Sequence, residues 1–252
     1  MRALRISEQA PGVGSILCNF MIKKQLRVEY EEAQIWEWTR DDRVALADFL
    51  AQLSPEDLSA TTLCPEWTVS DAAAHLLSMA TNSKWQLTWK YLRSGLNIEK
   101  ASQRTIAETH TRLTDIEIIA TLRATAGAQT TPPGLRPLGV FGELITHIAD
   151  IAVALDTTVD VPVEHFVVGL EYMQYRRKSN TRFTLTRHGR QPVVDCAALT
   201  DGLYLEATDI EWSIGEGELV QGPAALLILA MTGRQAALDQ LTGSGVEILR
   251  QR

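Results

Sequence analysis

Residues 142–151 read GELITHIADI, and the way this stretch folds decides the architecture around it. Phe141, Leu144, Ile145, Ile148, Ala152 and Leu155 recur with a period of 3.6, which predicts an amphipathic helix over 137–155. Glu143, His147 and Asp150 fall within roughly 60° of one another on that helix, well away from Leu144 and Ile148. Two readings are open. The three polar side chains are either the solvated face of a helix, or donors held for something. Glu143 and His147, four apart, can offer a carboxylate oxygen and an imidazole nitrogen to one metal ion. Two protein ligands seldom suffice, since a catalytic zinc takes three and keeps one position open. A third must come from elsewhere. His75, in WTVSDAAAHLL (67–77), is the candidate, although periodicity alone does not pair it with 143 and 147.

Upstream, Leu46, Phe49, Leu50 and Leu53 mark the core stripe of a helix over about 30–53. Thr68 and Asp71 have the spacing of a capping box, so a helix is expected from about 70 to 94. Residues 101–127 read as helix, in one piece or two. Pro132, Pro133 and Gly134 then enforce a loop. The first 155 residues therefore predict a helical bundle. After DTTVDVPVE (156–164) the character changes. A helix near 163–176 precedes a basic, strand-like stretch. Leu203, Leu205 and Ala207 alternate with polar neighbours, EWSIGEGELVQG (211–222) reads as strand, turn and strand, and helices return at 223–232 and 234–241. The expected organisation is an extension over 1–28, a bundle over 29–157 and an α+β domain over 158–252.

Composition excludes several classes. A formal net charge of −7 argues against a nucleic-acid face. Three dispersed cysteines, Cys18, Cys64 and Cys196, give no disulfide framework and fit a reducing cytoplasm. The N-terminus begins basic but lacks the pattern of a signal peptide, and Met21 is a possible alternative start. No unbroken apolar run reaches 18 residues, so no membrane span is expected.

Three blocks carry a resemblance: LCPEWTVSDAAAHL (63–76), GELITHIADIAVAL (142–155) and GLYLEATDIEWSIGEGELVQGPAALLILAMTGRQAALDQLTGSGV (202–246). Together they resemble the mycothiol-dependent maleylpyruvate isomerase family. The resemblance implies a DinB-like four-helix bundle with a small α+β C-terminal domain. It also implies a divalent metal held by His75, Glu143 and His147, with mycothiol as thiol cofactor. Asp150 is then placed to support a ligand or to contact substrate. Arg234, in TGRQAAL, matches an arginine associated with the family's activity, and is expected to hold an anionic group of substrate or cofactor. One departure is visible: Glu66 stands where the family commonly has Gly, which puts a carboxylate near the mouth of the site.

The implied function is that of a metal-dependent thiol enzyme, an isomerase or an S-transferase acting on a small electrophile, with zinc the expected metal and iron or nickel the alternatives. The competing reading is a non-catalytic metal-binding protein whose C-terminal domain is an interaction module. Geometrically, His75, Glu143 and His147 should converge their donor atoms to within roughly 3–4 Å, beside a pocket partly roofed by the C-terminal domain with Arg234 on its wall. Cys64 is expected to pack rather than act as a nucleophile. Trp85 and Trp89, at i and i+4, are expected in the core or lining a groove. The basic run Arg176, Arg177, Lys178, Arg182, Arg187 and Arg190 reads as a solvated turn. His110, His165 and His188 show no ligand spacing.

Overall fold

A computed structural model describes residues 30–64, 66–132, 134–179, 183–186, 189–192 and 196–252, with 175–179, 183–186, 189–192 and 197 described by backbone alone. The extension over 1–28, His188 and the side chains of the basic run 176–190 lie outside the described residues.

Helix α1 (Glu32–Leu50) buries Ile35, Thr39, Asp42, Arg43, Leu46, Ala47 and Leu50, one stripe at helical spacing. A short α2 (Pro55–Ser59) starts on a Ser54–Asp57 capping box, with Pro55 where its missing N–H costs nothing. Helix α3 (Val69–Thr81) opens on the expected box, Thr68 accepting from the Asp71 amide and Asp71 from the Thr68 amide. The single helix expected over 70–94 is two. A second box, Ser83 with Gln86, stops α3 and starts α4 (Lys84–Arg93), because a residue whose side chain caps a new helix cannot continue the old one. Helices α5 (Ile98–Arg112) and α6 (Asp115–Ala124) divide at Thr114 in the same way. Helix α7 (Pro137–Ala154) begins with Pro137 at its first turn.

Helices α1, α7, α3 and α6 pack as a ring, forming the four-helix bundle; α5 lies against α3, and α4 against α5. Helix α4 has no buried residue. Trp85 and Trp89 on it are 73% and 53% exposed, so neither enters the core, while Trp89 lines a surface depression with Gln86, Lys90, Arg93, Arg104 and Glu108. Among the described residues, α4 packs chiefly on α5.

In the second half, α8 (Val163–Ser179) packs on α7. Gly142 makes this possible, since a Cβ there would collide with the Tyr172 ring of α8, and a Cβ at Gly139 would meet Leu135 and the Tyr172 hydroxyl. A two-stranded hairpin, β1 (Phe183–Thr186) and β2 (Gly189–Pro192), and the short α9 (Cys196–Thr200) follow. A three-stranded sheet then has β3 (Leu203–Ala207) at its centre, antiparallel to β4 (Ser213–Gly215) and parallel to β5 (Glu218–Gly222). The alternation predicted for β3 holds: Leu203, Leu205 and Ala207 are buried. Helix α10 (Ala224–Met231) is apolar throughout and packs on α8, α7 and the sheet. The segment expected as a helix over 234–241 is a 3-10 helix (Gln235–Gln240), followed by α11 (Gly245–Arg250).

The bundle and the C-terminal half share one hydrophobic core. Buried polar bonds accompany it. Asp42 of α1 and His165 of α8 pair at 2.9 Å, both buried. Buried Arg43 donates to the carbonyls of Ala126 and Ala128 at 3.0 and 2.8 Å, satisfying the chain after α6. Averaged over Pro137–Ala154, α7 does reach a membrane-like mean hydropathy of 1.4, but 67% of that window is buried inside the protein. Its hydropathy serves packing on both sides, against α1 and against α8 and α10.

Candidate metal centre

That double packing settles the first question about α7. Its polar residues are not a wet face: Asp150 is 0% exposed and His147 4%. Donor atoms of His75, Glu143 and His147 all lie within 4.8 Å of one another. Bonds of about 2.0–2.2 Å to a shared zinc would bring such atoms to roughly 3–4 Å, a difference small side-chain rotations close. Helix α3 supplies His75 two turns after its cap, and one turn of α7 separates Glu143 from His147. The imidazoles stand 5.2 Å apart between centroids, edge to face at 73°.

Each remaining partner has a local cause. The Nδ1 of His147 lies 3.0 Å from Asp150 Oδ2, across one turn of helix. A carboxylate only accepts, so Nδ1 carries the proton and Nε2 is the nitrogen left for an ion. Asp150 in turn accepts from Arg234, from Nε at 3.0 Å and Nη2 at 2.8 Å. Arg234 is held there by the end of α10. Gly233, at φ +83°, takes the left-handed turn that lets the Gly233 and Arg234 amides reach back to the Ala230 and Leu229 carbonyls, both at 3.0 Å. Burial works to raise the Asp150 carboxyl, but His147 and Arg234 outweigh it and hold it below its ordinary value. Burial likewise works to lower Arg234, and the Asp150 carboxylate holds it above.

Sequence reasoning missed Trp67. Its ring lies 4.8 Å from His75 and 5.3 Å from His147, stacked on the latter at 25°. The signal was its place two residues before Val69, at the mouth of α3. Glu66, just before it, has φ +66°, the left-handed region where Gly fits and other residues are strained. Its carboxylate accepts from Gln103 of α5 at 3.1 Å.

Cys64 forms a second cluster with His147 and Asp150, again within 4.8 Å. It is a poor home for an ion. Asp150 already serves His147 and Arg234. Burial pushes the Cys64 thiol up to about 11, with Arg234 pulling against it and Asp150 and Glu143 adding to it.

Beside His75 and Glu143 opens a cavity of about 260 Å³. It lies between α3, α4, α5 and the chain around Pro132, and the lining residues run from His75 to Glu143. Among the described residues, none of the C-terminal half lines it, and Arg234 is not on its wall. The arginine lies behind His147, with Nε and Nη2 turned to Asp150, because the Gly233 turn delivers it to the buried side of α7.

Residues 39–134 match the family model described as the mycothiol maleylpyruvate isomerase N-terminal domain. The match includes Cys64, Trp67 and His75 and ends before Glu143. Among solved structures, the chain is similar to the crystal structure of the mycothiol-dependent maleylpyruvate isomerase, at 14% identity and a TM-score of 0.49, covering 85% of this chain and 93% of that one. It is similar to a histidine-to-alanine mutant of the same isomerase at 14% identity, a TM-score of 0.48 and the same coverage. No curated protein matches it.

Proposed function

We propose that this protein is a metal-dependent enzyme of a low-molecular-weight thiol, mycothiol, working as an isomerase or an S-transferase on a small electrophile. The observation that carries the reading is the convergence of His75, Glu143 and His147 at the edge of a cavity. Two imidazoles and one carboxylate suit zinc, with iron or nickel as alternatives. A divalent ion bound there would lower the pKa of a thiol, which at its ordinary value of about 8.5 is only a few per cent ionised at pH 7, a penalty on the order of 1–2 kcal/mol.

The chain's own residues prepare that chemistry. Asp150 fixes the His147 ring and its tautomer, as supporting carboxylates do at metal sites. Arg234 neutralises Asp150, so that Glu143 is the ligand that offsets the ion's charge. Trp67 packs against both imidazoles. The cavity brings an acceptor beside the thiol, where proximity lowers the barrier further. The thiol sulfur then adds to an acceptor carbon. If the acceptor is a cis alkene conjugated to a carbonyl, the new single bond rotates and the thiol leaves again, giving the trans isomer. If the adduct is kept, the reaction is a transfer.

The test combines metal analysis of the purified protein with a thiol-consumption assay on mycothiol and a panel of electrophiles, including a maleyl-type diacid. About one divalent ion per chain and catalysed turnover of thiol or alkene support the reading. Stoichiometric metal with no turnover across the panel would leave a metal-binding protein without catalysis.

A further inference from the structure

The cavity's walls differ from what a doubly charged ligand needs. Met79 of α3, Leu87 and Tyr91 of α4, Ile98 and Ala101 of α5, and Leu135 give it a chiefly apolar surface. Of its hydroxyls, Ser78 donates to the His75 carbonyl and Thr105 to the Ala101 carbonyl, each at 2.7 Å, while Ser102 and the Tyr91 hydroxyl also line it. The charged or chargeable residues lining it are His75, Glu143 and Lys90. Lys90 is committed: its Nζ lies 2.9 Å from Glu108 and donates to Asn82 at 3.3 Å. Arg93 and Arg104 line a separate depression together with Trp89, Lys90 and Glu108. Arg234 is bound to Asp150 behind His147.

A carboxylate entering this cavity would lose its hydration against apolar walls and meet Glu143, with no uncommitted cation among the described lining residues to compensate. A divalent ion would not supply the difference, since Glu143 and a thiolate together balance it. At about 260 Å³ the space is also just below the roughly 300–1,000 Å³ of most small-molecule pockets.

We propose that this cavity takes a small, uncharged, chiefly apolar electrophile, and that a dicarboxylate is not its ligand. The inference rests on the metal and thiol reading of the site, and narrows the acceptor class within it. Selection comes from both sides: apolar contact for the right ligand and an unpaired, desolvated charge for the wrong one.

The experiment is calorimetric titration of the full chain as purified, saturated with mycothiol, with 1-naphthol and, separately, with maleate, in a window over which no thiol is consumed. 1-Naphthol should bind at least about tenfold more tightly than maleate, the equivalent of one unpaired charge at the low end. Ala101→Phe, which fills the cavity, should abolish 1-naphthol binding. Leu87→Gln, on a helix with no buried residue and so without risk to the fold, should weaken it about tenfold. Maleate binding as tight as 1-naphthol, or 1-naphthol binding that is absent or ignores both substitutions, overturns the proposal. Metal content measured on the same samples separates it from the reading beneath. A protein that binds 1-naphthol as expected but holds no metal refutes the metal centre and leaves the cavity's preference standing.

Discussion

Arg234 and Asp150 meet across the joint between the two halves of the chain, Nη2 at 2.8 Å from Oδ2 and Nε at 3.0 Å from Oδ1, with the carboxylate wholly buried. Arg234, expected to hold an anionic group of substrate or cofactor, holds a carboxylate of its own protein and through it a histidine. Removing it leaves a buried charge without its counter-ion, which costs about 3–5 kcal/mol. Arg234→Ala should therefore lower the melting temperature by on the order of 10 °C. Arg234→Lys, which keeps the charge and loses the two-pronged geometry, should fall between. Differential scanning calorimetry decides the matter. An unchanged melting temperature in Arg234→Ala would mean that water replaces the guanidinium at no cost.

The metal centre makes a graded prediction. His75→Ala and His147→Ala should each lose the ion, because two remaining ligands hold it poorly. Asp150→Asn should keep it at about 10–100-fold weaker affinity, the usual effect of losing the partner that orients a ligand imidazole. Chelator competition measures all three, and near-stoichiometric metal in both alanine variants would remove the assignment.

Cys64 should be a slow thiol. With its pKa pushed up to about 11 by burial, the thiolate is scarce at neutral pH, and reactivity should climb only as pH rises toward that value. Iodoacetamide labelling followed by mass spectrometry across pH reads this directly. Labelling near neutrality at the rate of an unhindered cysteine would show that the thiol is ionised in the fold and would reopen it as a nucleophile.

Gly142→Ala offers a test in which the sign decides. On helix propensity alone, alanine should stabilise α7 by about 1 kcal/mol. The new methyl would collide with the Tyr172 ring, and overpacking of this kind costs about 1–3 kcal/mol. We expect net destabilisation in urea unfolding, and a more stable variant would mean that α8 can retreat from α7 freely.

Glu66→Gly should act in the opposite direction. At φ +66° an L-residue carries about 1–2 kcal/mol of strain, part of which glycine returns to the unfolded chain's entropy. A gain of up to about 1 kcal/mol, or roughly 2–4 °C in melting temperature, is expected. A loss would show that the hydrogen bond from Gln103 outweighs the strain.

The helices were largely legible in the sequence, because the signals that make them are local. Core stripes at Leu46 and Leu50 and along α7, the Thr68–Asp71 box, the Pro-rich break before α7 and the alternation of β3 act between residues a few positions apart. The ends that were misjudged, at Ser83 and at 234–241, turned on one capping side chain and on hydrogen bonds one residue tighter than a helix. Convergence of His75 with Glu143 and His147 was not local, and only the resemblance proposed it; packing of α3 beside α7 is what brings their donor atoms together. The tertiary structure alone decided that Asp150 is dry, since a single helix shows its polar face but not whether a second layer of α8 and α10 will cover it. It alone sent Arg234 behind the site rather than into the cavity, through a glycine turn and a buried carboxylate 84 residues away in the chain.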